Sequence, residues 1–320
     1  MASTAKVMTA LVVLEDHPLA INEPGPVLTV SRADVSTYFS ELNQNESVLP
    51  VAAGEQLTEY QLLEGLMLPS ASNFAAMLAS WDAGSVPAFV DRMNARAASL
   101  HLGATHFADV SGFSPGSVSI PAELISLARA AMAKPVFAQI VAQTQATLPV
   151  AGVIHNLNTL LGKNGVIGIK TGHTDQAGGC LVFAADFVLD GKPVRVFGAV
   201  MGQPNFLAGA FAAATTLLNA IQPALHVRAI IHRGDEVARY RTAWGESGSI
   251  VSRQDVSWLL LDGALLTRQV TLDGLPSQLA TGTMVGRVRV LSGEQHAEVP
   301  LVTRSAINGP EIGWRLTRGF

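Results

Sequence analysis

Val166-Ile167-Gly168-Ile169-Lys170-Thr171-Gly172 is a short apolar run that ends in a cation, a hydroxyl and a glycine. Its length and β-branched residues predict a buried strand. A terminal glycine lets another backbone or a ligand approach closely. Lysine and threonine side by side at a sheet edge suit the carboxylate of a peptide substrate. The rival reading, a phosphate loop, fails because no glycine immediately precedes the lysine and the G-x-x-x-x-G spacing is absent.

Two further strands follow it. Residues 180–189 and 194–201 are apolar and β-rich, with a turn at Asp190-Gly191-Lys192-Pro193 between them. The three runs predict an antiparallel sheet of at least three strands. Alanine-rich stretches at 4–15, 59–67, 73–78, 86–100, 122–133 and 206–221 predict helices to cover it. From 223 onward the texture changes to short β runs split by glycines, at 227–232, 237–240, 267–272, 285–291 and 298–302. The charge balance changes at the same place. Residues 1–222 hold all five lysines and a surplus of acids, whereas every basic residue of 223–320 is arginine. We therefore expect two domains: 1–222, α+β, and 223–320, a small all-β module.

Composition narrows the function classes. The 320 residues are 48% hydrophobic and 14% charged, which excludes a disordered, solvating chain. A net charge of −4 argues against a general nucleic-acid binder. The single cysteine, Cys180, excludes an internal disulfide and a cysteine-rich zinc site, and the eight histidines are scattered without ligand spacing. No metal site or other cofactor is expected. The opening residues show no signal peptide. The uncharged stretch 196–227 is long enough to span a bilayer, but its prolines, asparagines and glutamines favour a strand, a loop and a helix, so no transmembrane helix is expected.

Two more places hold chemistry. Ser3 and Lys6 are three residues apart, so a helix starting there puts both on one face. A neutral lysine can take the proton of a serine, and partial burial lowers a lysine pKa enough for that. A helix N-terminus also offers free N–H groups to a developing oxyanion. Alone, this spacing is a weak signal. Pro69-Ser70-Ala71-Ser72-Asn73 is a loop entering a helix. It reads either as a turn with Ser72 as N-cap or as a serine that relays protons.

The order of the three motifs is more specific. Ser-x-x-Lys, a Ser-x-Asn/Asp type loop and Lys-Thr-Gly resemble the signature of serine penicillin-recognising enzymes. Ala2-Ser3-Thr4-Ala5-Lys6-Val7-Met8-Thr9-Ala10 is similar to the nucleophile helix of low-molecular-weight D-alanyl-D-alanine carboxypeptidases. Gly168–Thr174 with Ala177-Gly178-Gly179-Cys180-Leu181-Val182 resembles their third motif and next strand, and 155–161 and 112–114 resemble other parts of them. The likeness covers 1–222 well and 223–320 weakly. It implies a β-lactamase/transpeptidase-like fold and removal of the terminal D-alanine from peptidoglycan stem peptides outside the cytoplasm, with β-lactams as inhibitors.

Carried onto this chain, the resemblance makes Ser3 the nucleophile, Lys6 its base and Ser70 a proton relay. Ser72, Lys170, Thr171, Gly172 and His173 would bind substrate, and the N–H groups of Ser3 and His173 would form an oxyanion hole. Ser72 stands where the family usually has Asn. An inert, peptidoglycan-binding homologue is one alternative. A β-lactamase is another, with Glu123 as its candidate carboxylate. In the family a leader and two strands precede the nucleophile, so the resemblance also implies a missing first segment, an open sheet edge and a frayed Ser3. No amphipathic helix of the kind that anchors some relatives is expected after 315–320, and Trp244, Trp258 and Trp314 are expected in the β core.

Overall fold

The computed structural model describes residues 1–318. They form two compact units, Met1–Ala220 and a second beginning at Ile221.

The first unit opens with a 3-10 turn, Ala2–Ala5, that runs straight into helix α1 (Lys6–Asp16). No charge interrupts α1 between Lys6 and Glu15, and every residue from Lys6 to Leu14 is buried. A helix apolar all round belongs in the middle of a core. Strand β1 (Val27–Thr29), helix α2 (Arg32–Asn43) and strand β2 (Gln56–Thr58) follow, with β1 and β2 paired. Then come α3 (Glu59–Met67), α4 (Ser72–Ala83), α5 (Val86–Ser99), α6 (Pro121–Met132) and α7 (Pro135–Val141). Reciprocal capping boxes, Ser31 with Asp34 and Thr58 with Gln61, start α2 and α3 by satisfying otherwise free N–H groups. Proline in the first turn starts α5, α6 and α7 at no hydrogen-bond cost.

A small hairpin, β3 (Gln145–Leu148) with β4 (Gly152–His155), leads to the central sheet. That sheet is antiparallel in the order β5 (Val166–Thr174), β6 (Gly178–Leu189), β7 (Lys192–Gln203). Register pairs Lys170 with Val182, Thr171 with Leu181 and Gly172 with Cys180. Residues 179–185 of β6 are all buried, as suits a strand covered on both faces. Asp190 and Gly191 both have positive φ (50° and 75°), the two-residue hairpin geometry that matches strand twist. Phe74, Phe89, Phe107 and Phe137 pack with Leu11, Leu63, Ile169 and Val182 into one core. Helix α8 (Phe206–Ala224) follows, with Ala210, Ala214 and Leu218 as its buried stripe.

The second unit holds a five-stranded sheet ordered β12-β13-β14-β10-β9 and a two-stranded sheet of β11 with β8. The strands are β8 (Leu225–Ile231), β9 (Glu236–Arg241), β10 (Ser247–Ser252), β11 (Val256–Leu261), β12 (Thr267–Leu272), β13 (Met284–Ser292) and β14 (Gln295–Thr303). Ile250, Val288, Val290, Val299 and Leu301 form its core, against which Trp244 and Trp258 pack.

Several expectations are corrected. The chain start is not frayed. Met1 and Ala2 are buried, the terminal ammonium donates to Ser117 O (3.1 Å), and Thr4 Oγ1 donates to Met1 O (2.6 Å). Those bonds and the burial offset the freedom that a terminus otherwise keeps. Ser72 is not an N-cap; Ala71 holds that position and Ser72 is the first residue of α4. The helix expected to end at 221 runs on to Ala224, through Pro223, which forgoes one bond in the last turn. By length and composition α8 is also apolar enough to cross a membrane. A short helix, α9 (Ile312–Arg318), follows the last strand. It carries Trp314, which meets Trp244 edge to face at 5.9 Å.

Candidate active site

Three pieces of the first unit converge: the 3-10 turn with α1, the start of α4, and β5. Lys6 Nζ lies 3.0 Å from Ser3 Oγ and 3.2 Å from Ser72 Oγ, and donates to Ser111 O at 3.1 Å. Lys6 is fully buried while Ser3 is half-buried and lines a cleft of about 300 Å³. Ser72, Glu46, Phe113 and His173 line the same cleft. β5 is wedged against the nucleophile turn. A Cβ on Gly172 would fall 2.6 Å from Ser3 N, so only glycine lets strand and turn meet. Gly112, at φ 77°, makes the second close approach: a Cβ there would fall 1.9 Å from Ala2 O.

Two non-glycine residues with positive φ belong to these pieces, Ala2 (50°) beside Ser3 and Ser70 (72°) beside Ser72. Such conformations cost on the order of 1–3 kcal/mol and persist where the surroundings over-determine them. The strained turn at Ser70 buries its hydroxyl without a hydrogen-bond partner. The hydroxyl that reaches Lys6 is therefore that of Ser72, whereas the sequence pointed to Ser70. Asn73, next in line, turns away and pairs with Leu49, accepting from its N–H (3.1 Å) and donating to its carbonyl (2.9 Å).

The charges are set by burial. Lys6 is lowered to about 8, chiefly by desolvation, while Glu46, Asp109 and Glu41 oppose the shift. Among the described residues no carboxylate reaches ion-pair distance of its ammonium. Lys170, also fully buried, is held well below the usual lysine range by desolvation and then by the neighbouring charge of Lys6; its Nζ donates to Thr171 O (3.1 Å). Glu41 is pushed up to about 7 by burial and then by Glu46. Thr171 is buried on β5, and His173 is exposed at the cleft, its ring 5.3 Å from that of Phe206. Glu123 is not at the site. It accepts from Ala104 N and Thr105 Oγ1 at the start of α6.

Sequence reasoning missed Ser111, Asp109 and Glu46. Asp109 accepts from the N–H groups of Gly112, Phe113 and Ser114 and so shapes the loop that presents Ser111 O to Lys6. The signal was available: an Asp two residues before Ser-Gly marks a side-chain-stapled turn.

A serine beside a buried lysine and a second hydroxyl, at the mouth of a cleft, defines the acyl-transfer class of site. A profile described as D-alanyl-D-alanine carboxypeptidase matches residues 1–205, and the chain belongs to that family. It is 30% identical to the D-alanyl-D-alanine carboxypeptidase DacD of Escherichia coli K12 over 100% of this chain and 83% of that one. The crystal structure of the Streptomyces K15 DD-transpeptidase superposes with a TM-score of 0.60 at 33% identity, over 68% of this chain and 86% of that one. Penicillin-binding protein 5 of Haemophilus influenzae, at 23% identity, shares the fold with a TM-score of 0.68 over 96% and 90%.

Proposed function

We propose that this chain removes the terminal D-alanine of peptidoglycan stem peptides through an acyl-enzyme on Ser3. The observation that carries the reading is the buried lysine 3.0 Å from a cleft-lining hydroxyl. With Lys6 at about 8, roughly a tenth of it is neutral at pH 7, enough to act as a base.

Neutral Lys6 takes the proton of Ser3 as Oγ attacks the carbonyl of the penultimate D-alanine. The N–H groups of Ser3 and His173 receive the oxyanion, where one donor is typically worth about 2.7–4 kcal/mol. The C–N bond then breaks and the leaving amine takes a proton. Ser72, 3.2 Å from Lys6, stands where it can pass that proton on. Lys170 and Thr171 meet the terminal carboxylate, and Gly172 keeps that edge against Ser3. An arriving carboxylate favours the charged form of Lys170, so binding draws a proton onto it. Water finally frees Ser3.

Residues 1–222 are on this reading the catalytic domain and 223–320 a β-rich companion. The site of action is the peptidoglycan side of the membrane, and β-lactams acylate Ser3 in place of substrate. Incubation with a stem pentapeptide ending in D-Ala-D-Ala tests the reading. Stoichiometric D-alanine release, lost in Ser3→Ala, is expected; no release by the wild-type chain contradicts it.

A further inference from the structure

Resting on that reading, we propose that Glu46 is the base that activates the water which hydrolyses the Ser3 acyl-enzyme, so that this cleft is built for hydrolysis rather than transfer to an amine. Glu46 lines the same cleft as Ser3 and Ser72. It sits on a segment strapped across the motif loop: Glu46 N donates to Glu41 O (3.0 Å), Ser72 N to Ser47 O (2.7 Å), and Leu49 pairs with Asn73 through both backbone groups. These bonds hold the backbone that carries Glu46 against the start of α4, and such preorganisation is useful to a catalytic group.

The other acids near the site are engaged, pushed toward the protonated form or more exposed. The two oxygens of Asp109 accept from three backbone N–H groups and from the hydroxyls of Ser111 and Ser117. Glu41, half-buried near the end of α2, is pushed toward its protonated form by burial and then by the charge of Glu46. Asp175 lines the same cleft but is exposed on the turn after β5, whereas Glu46 is half-buried. Glu46 has one hydroxyl partner, Ser111 Oγ at 3.2 Å, which lies closer to Asp109 (2.9 Å), and no ion-pair partner among the described residues. In this step the Lys6 ammonium, 3.0 Å from Ser3 Oγ, serves as the proton donor to Ser3.

The step balances as follows. The water oxygen forms a bond to the acyl carbon while Glu46 takes one of its protons. The C–Oγ bond then breaks with its electron pair on Ser3 Oγ, which takes a proton from the Lys6 ammonium. The proton on Glu46 returns to Lys6 through solvent, and a carboxylic acid leaves.

Glu46→Gln and Glu46→Asp separate this from a structural role. Each variant is labelled with a fluorescent penicillin, then followed for acylation rate, adduct lifetime and D-alanine release, with and without an added amine acceptor. Glu46→Gln should acylate at least as fast as wild type, because losing the negative charge also favours neutral Lys6. Its adduct should last about 10²-fold longer, and transfer to the amine should take over from hydrolysis. Glu46→Asp should recover part of the hydrolysis. An unchanged adduct lifetime, or a fall in acylation that matches the fall in turnover, overturns the assignment to Glu46 alone. No adduct on the wild-type chain overturns the Ser3 reading as well.

Discussion

The two units bury very different things. The first encloses Lys6, Lys170, Ser70, Ser72, Asn73 and Thr171 beside an apolar core, and it holds Ala2 and Ser70 at positive φ. The second, among its described residues, buries only Ser252 and Thr303 as polar side chains, within a core of Ile250, Val290, Val299 and Leu301. A buried lysine is costly unless its charge is shed or partnered. Two of them in one corner, with strained turns on either side, are the mark of a site. A β core without such groups carries stability alone.

That contrast can be broken at its extremes. Ser3→Ala and Lys6→Ala should each lower turnover by roughly 10⁴–10⁶-fold with little change in melting, as removal of one member of a catalytic unit does. Full activity in either would erase the distinction. Gly172→Ala keeps every functional group but drives a Cβ into Ser3 N. Acylation should fall about 10²-fold, the usual consequence of displacing a reacting atom by about an ångström. In the second unit, Leu301→Ala should cost about 2–5 kcal/mol of that unit's stability and leave the rate of Ser3 acylation per folded molecule unchanged.

Two pH effects sharpen the comparison further. Because Lys6 is lowered to about 8 and acts when neutral, the acylation rate should climb nearly tenfold per pH unit below 8 and level off above it. A flat profile from pH 6 to 9 would remove Lys6 as the base. The smallest effect concerns Glu59, fully buried with both oxygens unpartnered and pushed up to about 7 by burial. A carboxyl raised in the folded state is held protonated there. Its contribution to stability is complete below the unfolded value near 4.5 and is lost as pH rises toward 7. Glu59→Gln should therefore raise the first unit's melting temperature at pH 8 by roughly 2–4 °C and do little at pH 4.

Much of this was legible in the amino acids. The strand ending Lys170-Thr171-Gly172, its two neighbours and the Ser3/Lys6 spacing follow from local pattern, and the sheet of β5, β6 and β7 is antiparallel as expected. Helix α2 was missed because it buries no residue fully and so leaves only a weak periodic signal, although its Ser31/Asp34 box was readable. That the hydroxyl near Lys6 is Ser72's and not Ser70's was not readable. It depends on a positive φ at Ser70 that no propensity assigns to serine. Ser111 reaches Lys6 across a gap of 105 residues and the charge of Glu46 acts on it across 40, and a single sequence does not show which distant residues share a corner.

The most direct test is the mass of the intact protein after exposure to penicillin at pH 8, followed by peptide mapping. One adduct on Ser3, absent from Ser3→Ala, is the predicted result. An adduct on another residue, one that persists in Ser3→Ala, or none at all on the folded wild-type chain would contradict the central claim.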